Sequence, residues 1–465
     1  TIELTGGTFA NNAAMNATTK FTNNSALTNN STIEALEFDN DNTITGTGSI
    51  KVGATGGTSD GAITQSTIEL TGGTFANNAA MNATTELKNA SALTNTSTIT
   101  AQKLTNTNTI SGAGNLIVVD GGSSDAAITQ SVIAFGGGTF VNNANITATT
   151  SLGNTAILQN NKAGVLINAQ NILNSGTITG IGDLTIVDGG YNLGTIDQNN
   201  VVLTGGTLQN SGTLTAQNFT NSATVDGVGI LNVTQSGVSN SSIVQSTINL
   251  TGTSFVNNDD MTATQLLNNG QNNTLDNNSN IYVHNTTSND ALLDNKGIIN
   301  NVSGSLIAAD TITNTGTVNL NKSVVNVFYQ SGDIAGVINV KGTSNADASD
   351  LAVIGKNLGT SAKLVGQINI GGSQASGEAA ALNLYSGEIT KQAVLNIEKG
   401  SVLNINGLAT QASSYFTSAT VNADDKFAGD VRLIDGIFNL EDVSVSVGAT
   451  STTVGGELPY YEQSG

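Results

Sequence analysis

Apolar and polar residues alternate in short pulses along almost the whole chain. Ile50 and Val52 flank a charged residue, Leu116 and Val118 flank another outward position, and the pulses are separated by Asn, Gly and Thr. A period of two is that of a β-strand, and Gly and Asn turn a chain easily because Gly takes positive φ and Asn tolerates it. The predicted unit is therefore strand, tight corner, strand. Helical patterning is nearly absent, and its nearest candidate, Ser376 to Leu384, is short enough to be read as a corner or an insertion.

The pulses recur over longer distances. TIELTGGTF at Thr1 to Phe9 returns intact at Thr67 to Phe75, then as VIAFGGGTF from Val132, NVVLTGGTL from Asn200 and TINLTGTSF from Thr247. Repeats that start at 1, 67, 132, 200 and 247 lie about 66 residues apart, except for the last interval. That interval is short by roughly 20 residues, which suggests a coil of about 20 to 23 residues and a repeat of three coils. Inside each repeat a second motif runs from Ala35 to Val52, Ala101 to Val118, Ala169 to Ile186 and Ala216 to Val233.

One unit repeating in strand and corner is most economically housed by parallel stacking. The fold class read from the sequence is thus all-β, a parallel β-helix (β-solenoid) of about 20 coils, an elongated rod on the order of 100 Å long at about 4.8 Å per coil. Three-coil repeats would set Phe9, Phe75, Phe140 and Phe255 on one face, with Ile2, Ile68, Ile133 and Ile248 on another. Asn11, Asn77, Asn142, Asn210 and Asn257 would form a polar column whose amides bond to their neighbours above and below. Residues 1–265 carry the regular repeats, residues 266–455 continue the solenoid with longer corners, and residues 456–465, with the sole proline Pro459, read as a tail or linker.

Composition then narrows the function. The 465 residues include 34 acidic and 14 basic side chains, a net charge of −20, which repels nucleic acid and anionic lipid. There is no cysteine, which a long solenoid does not need for stability and which suits export through a narrow pore. No run of 18 apolar residues and no signal-peptide pattern is present within these residues, so direct membrane insertion by this segment is not expected; a repeat is already under way at Thr1.

Candidate chemistry is sparse, and no catalytic, cofactor-binding or metal residue is assigned. Gly46 with Gly48, and Gly112 with Gly114, lead into strands rather than a helix, so they are read as corners and not as phosphate loops. Asp259 with Asp260 is the best adjacent pair of carboxylates for a polysaccharide-acting enzyme, and Asp424 with Asp425 the next. Their position on a strand would point the two members of each pair to opposite faces. His284 is the sole histidine and Arg432 the sole arginine, and neither sits in a catalytic motif. Asp39 and Asp41 resemble a fragment of a calcium loop without its glycine or distal glutamate, so the expected cofactor is none, with weak Ca2+ binding the one exception entertained. Thr43 with Thr45, and Thr177 with Thr179, are too interrupted for a flat threonine array. Asp347 to Leu358 and Ser413 to Lys426 are the candidate binding corners.

Units such as NSGTITGIGDLTI (Asn174 to Ile186), NTGTVNL (Asn314 to Leu320) and the stretch from Leu208 to Val225 resemble the β-helical passenger domains of bacterial autotransporters and the filamentous-haemagglutinin type of exoprotein. The resemblance covers most of residues 1–450 and is one of repeat style. It implies a non-enzymatic protein at the bacterial cell surface or outside the cell, associated with the outer membrane. Its partners would be a surface protein or glycan of a host or neighbouring cell, or further copies of itself. The chain departs from a complete autotransporter in lacking a C-terminal β-barrel pattern. Two alternatives stand beside it: a subunit of an extracellular filament or S-layer, and a β-helix enzyme acting on polysaccharide.

Overall fold

Three residues in the order inward, outward, inward are enough to make one side of a coil. Leu27-Thr28-Asn29 and Ile33-Glu34-Ala35 both follow this order, with the first and third residues buried. A computed structural model describes residues 1–330 without interruption and, beyond them, chiefly strands as far as Val447. The chain forms two compact units, Thr1–Thr224 and Val225–Gly465. Each is a parallel β-solenoid, with about 20 coils between them and no helix among the described residues.

In the first unit a coil has three sides. Ile2–Leu4 opens side A, Thr8–Asn11 side B, and Met15–Asn23 contributes side C before bending round the corner to side A again. Side A stacks Ile2, Phe21, Phe38, Gly57 and Phe75 in register. Side B stacks Phe9, Leu27, Ile44, Ile63 and Met81. Side C stacks Met15, Ile33, Ile50, Ile68 and Leu87. Phe21 and Phe38 stack with ring centroids 5.4 Å apart, and Phe38 reaches Phe75 at 6.3 Å across the coil where Gly57 leaves the space open. Dispersion contacts and the removal of these columns from water hold the coils together.

The coil is shorter than the 20 to 23 residues expected from the repeat arithmetic. Laddered asparagines in adjacent coils of this unit are 17 to 20 residues apart, as in Asn23 with Asn40 and Asn154 with Asn174. Three sides of about six residues suffice because each needs only two inward side chains and a brief corner. The three-coil repeat is corrected with it. From Ile2 the register climbs three coils to Gly57 on side A, then passes two further sides to reach Ile68 on side C. Ile2, Ile68 and Ile133 therefore lie on sides A, C and B, and so do not share a face. The same holds for Phe75 on side A, Phe140 on side C and Phe9 on side B. Each repeat is displaced by one side from the repeat before it.

Asparagine ladders are present, in a different arrangement from the single column expected. Asn11 donates to Asn29 (2.7 Å), and Asn29 then reaches past a whole coil to Gln65 (2.6 Å). Asn77, Asn95 and Gln130 repeat this on side A, and Asn142, Asn160 and Gln198 on side C. Gly46 and Gly48 create the passage. Gly46 has φ of 123°, and a Cβ on Gly48 would sit 2.6 Å from the Asn29 amide nitrogen. The glycine pairs are corners, as read from the sequence, and they also clear the path of a buried amide.

In the second unit the stacking continues while the corners lengthen. Asn257 and Asn277 are 20 residues apart, Asn269 and Asn295 26, and Asn339 and Asn369 30. An outward amide ladder, Asp276, Asn300, Asn319, Asn339, Asn369 and Asn396, runs along one side, each amide donating to the residue before it at 2.6 to 2.8 Å. Leu293, Ile307, Val327 and Leu351 help to bound an internal void of about 20 Å3. Its apolar walls offer a water no partners. The segment Ser376 to Leu384 ends in the strand Ala381–Ser386.

Candidate functional site

Asp259, Asp260 and His284 are engaged in closing corners, whereas Asp39 lies on the strand Thr32–Asn40. Asp260 follows Asp259 in the corner ahead of the strand Met261–Asn269, so the pair is not on a strand as expected. Asp259 accepts the Asp260 amide (2.8 Å), and Asp260 accepts Ser279 (3.2 Å) and Asn280 (2.9 Å). Asp39 pairs with Lys20 and accepts the Thr58 hydroxyl (3.0 Å). Glu37 lies 2.9 Å from the same ammonium, and hydrogen bonds from Asp39 first and Glu37 second hold Lys20 above its usual pKa. Among the described residues no three acidic, histidine or cysteine side chains are grouped to hold a metal ion. Thr45 stands beside Thr28, but Thr179 stands beside Asp197, which interrupts any threonine array.

His284 has a partner that the sequence did not flag. Its Nδ1 lies 2.6 Å from Oδ1 of the fully buried Asp310, whose Oδ2 accepts the amides of Asn285 (2.8 Å) and Ala291 (3.2 Å). The buried carboxylate thus pins both ends of the corner 284–291, and the nearby Ser288 hydroxyl donates to Asp290. The two stretches expected to be binding corners are largely strand: Asp347 to Leu358 holds the strand Ala348–Gly355, and Ser413 to Lys426 holds the strands Ser413–Thr417 and Thr420–Ala423. Asp424 and Asp425 lie outside the described residues, as do the Arg432 side chain and residues 456–465.

The feature that stands apart is an outward column on side B of the first unit. Ile117, Ala134, Gly153, Leu173 and Tyr191 occupy successive coils in register. Each falls between two inward residues, as Leu173 does between Ile172 and Asn174, so strand alternation turns it to solvent. Leu173 is 50% exposed, Tyr191 56%, and Leu193 at the adjoining corner 63%. With no side chain at Gly153 or Gly136, the column encloses an open hollow of about 490 Å3. Covering three half-exposed side chains of this size would return about 1 kcal/mol each.

The preceding repeat shows what this path holds elsewhere. There the equivalent column, on side C, is Lys51, Glu69, Lys88, Thr105 and Ser123. It begins one coil earlier at Glu34, whose carboxylate lies 3.1 Å from the Lys51 ammonium. That hydrogen bond, followed by the charges of Glu34 and Glu69, raises the pKa of Lys51. One repeat on, lysine becomes Ile117, glutamate Ala134, lysine Gly153, threonine Leu173 and serine Tyr191, while Asp125 becomes Leu193. A position-by-position comparison of the repeats carries this signal, but an assumed three-coil period conceals that the five residues are neighbours.

The hollow rests on a firm base. Beneath it Asn154, Asn174, Asn192 and Asn210 form an unbroken buried ladder, with bonds of 2.7 to 2.8 Å. In the two earlier repeats Ser59 and Ser124 stand where Asn192 stands, and the ladder breaks there. The next asparagine oxygens, on Asn77 and Asn142, are buried without a partner. Compared with known protein families, curated proteins and solved structures, the chain matches none of them.

Proposed function

We propose that this chain is the stalk-like part of a bacterial cell-surface or secreted protein that acts by attachment or aggregation and not by catalysis. One observation supports this reading above the others. Asp259, Asp260 and His284 are spent on corners and Asp39 on a pair with Lys20, whereas the outward column from Ile117 to Tyr191 departs from its own repeat towards exposed apolar surface. A packed fold gains nothing from such exposure, and contiguous apolar surface marks interaction sites. The likeness of repeat style to autotransporter passengers adds outer-membrane export and surface display to the proposal. The partners would be surface proteins or glycans of other cells, or other copies of the chain.

The test is display of the chain on a non-adherent bacterium through a neutral barrel anchor. Attachment to cultured cells, or clumping, above that of the anchor alone is expected. Growth of the purified chain into filaments would instead favour a lattice subunit. Turnover of an acidic glycan that Asp259→Asn abolishes would favour an enzyme.

A further inference from the structure

We infer that the hollow on side B is a docking site for a basic, amphipathic polypeptide segment whose apolar side chains enter between Ile117 and Leu193. This deepens the proposed function, since it rests on the chain working by binding. The site is built by substitution at adjacent places. Ile117, Ala134 and Gly153 replace the alternating charges Lys51, Glu69 and Lys88, and Leu193 replaces Asp125. Gly153 is a removal of bulk, because a Cβ there would meet only the Ala134 Cβ at 3.8 Å. No turn or close approach demands glycine at that position.

The chemistry of the walls selects among occupants. Ile117, Leu173 and Leu193 offer apolar contact and few hydrogen-bonding groups, which suits aliphatic side chains better than the hydroxyl-covered faces of a sugar. Charge selects further. Asp120 stands in the corner that follows Ile117 and Asp188 in the corner that precedes Tyr191, and the sole basic residue between Lys103 and Thr224 is Lys162. A second copy of the chain, itself at −20, would be repelled on approach, whereas a cationic segment would be drawn in.

The measurement is fluorescence polarisation of a labelled Leu-Lys-Leu-Lys-Leu-Lys peptide against the whole chain, with Ser-Lys and Leu-Glu alternating peptides as controls. The variant Leu173→Thr/Tyr191→Ser/Leu193→Asp installs the residues of the preceding repeat. Gly153→Lys, tested separately, fills the hollow with that repeat's lysine. The Leu-Lys peptide should bind the unaltered chain at least tenfold tighter than either variant and tenfold tighter than both control peptides bind, and should weaken as salt rises. Circular dichroism should show both variants folded; should the triple variant fail to fold, Gly153→Lys alone decides. Equal binding to folded variants, or equal binding of the Leu-Glu peptide, overturns the inference. So does a dimer of the unaltered chain in sedimentation that the variants abolish. Attachment of displayed cells that survives in the variants would overturn the docking site while leaving the attachment role intact.

Discussion

Two outward columns of the first unit follow the same path through successive repeats and present opposite surfaces. On side C, Glu34, Lys51, Glu69 and Lys88 alternate in charge, with Lys51 directly between two carboxylates. On side B, Ile117, Ala134, Gly153, Leu173 and Tyr191 carry no charge. The inward residues beside them hardly differ in kind: Ile50, Ile68 and Leu87 in one case, Leu116, Ile133 and Leu152 in the other. The core therefore does not dictate the outward side chain, and the apolar column is not a consequence of packing. Because each repeat is displaced by one side from the last, the charged and apolar surfaces face different directions and do not compete for one partner.

The largest effect should come from the base under the apolar column. Asn192→Leu removes the acceptor of Asn174 and the donor to Asn210, at about 1–3 kcal/mol for each buried group left unpaired. Urea denaturation should show the midpoint fall accordingly, whereas Asn82→Leu, on an outward position, should leave it nearly unchanged. A smaller gain is expected from carrying the unbroken ladder into the earlier repeat. Ser124→Asn offers a donor to the unpaired oxygen of Asn142 and should stabilise the chain by about 1 kcal/mol in the same assay. A midpoint that falls would mean the serine corner cannot hold the larger amide.

Converting the charged column towards the apolar one should have the smallest effect. Lys51→Ile breaks an exposed ion pair, so the loss should be slight and should disappear in about 1 M salt. The sign with pH follows from the raised pKa of Lys51. Its contribution is fully present below 10.5, the unfolded value, and fades as pH rises through the higher folded value. Denaturation midpoints of the variant and the unaltered chain should therefore converge at high pH, and a gap that persists there would show that the substitution has altered packing instead.

Much of this was legible in the sequence because it rests on local chemistry. Alternation in Ile50 to Val52 gave strands, Gly46 and Gly48 gave corners, and the recurrence of TIELTGGTF called for stacked coils. The coil length was not legible. A 66-residue repeat divides as readily into three long coils as into three shorter ones and two extra sides, and only pairing between distant strands decides which. That choice governed everything beyond the fold class. It misplaced Phe75 and Phe140, hid the jump from Asn29 to Gln65, and kept Ile117 apart from Leu173. That His284 sits in no catalytic motif was legible, but its buried partner Asp310 lies 26 residues on, beyond the reach of any local pattern.

The coil length can be measured directly, since the chain has no cysteine of its own. Thr105 and Ser123 are outward residues of adjacent coils, paired in register 18 positions apart. At the spacing of paired strands, cysteines at these two positions fall within disulfide reach. The variant Thr105→Cys/Ser123→Cys should oxidise to an intramolecular disulfide in the folded state, and Thr105→Cys/Ala127→Cys, which a 22-residue coil would align, should not. The reverse outcome would contradict the short coil, and with it the rotation of the repeats and the apolar column on side B.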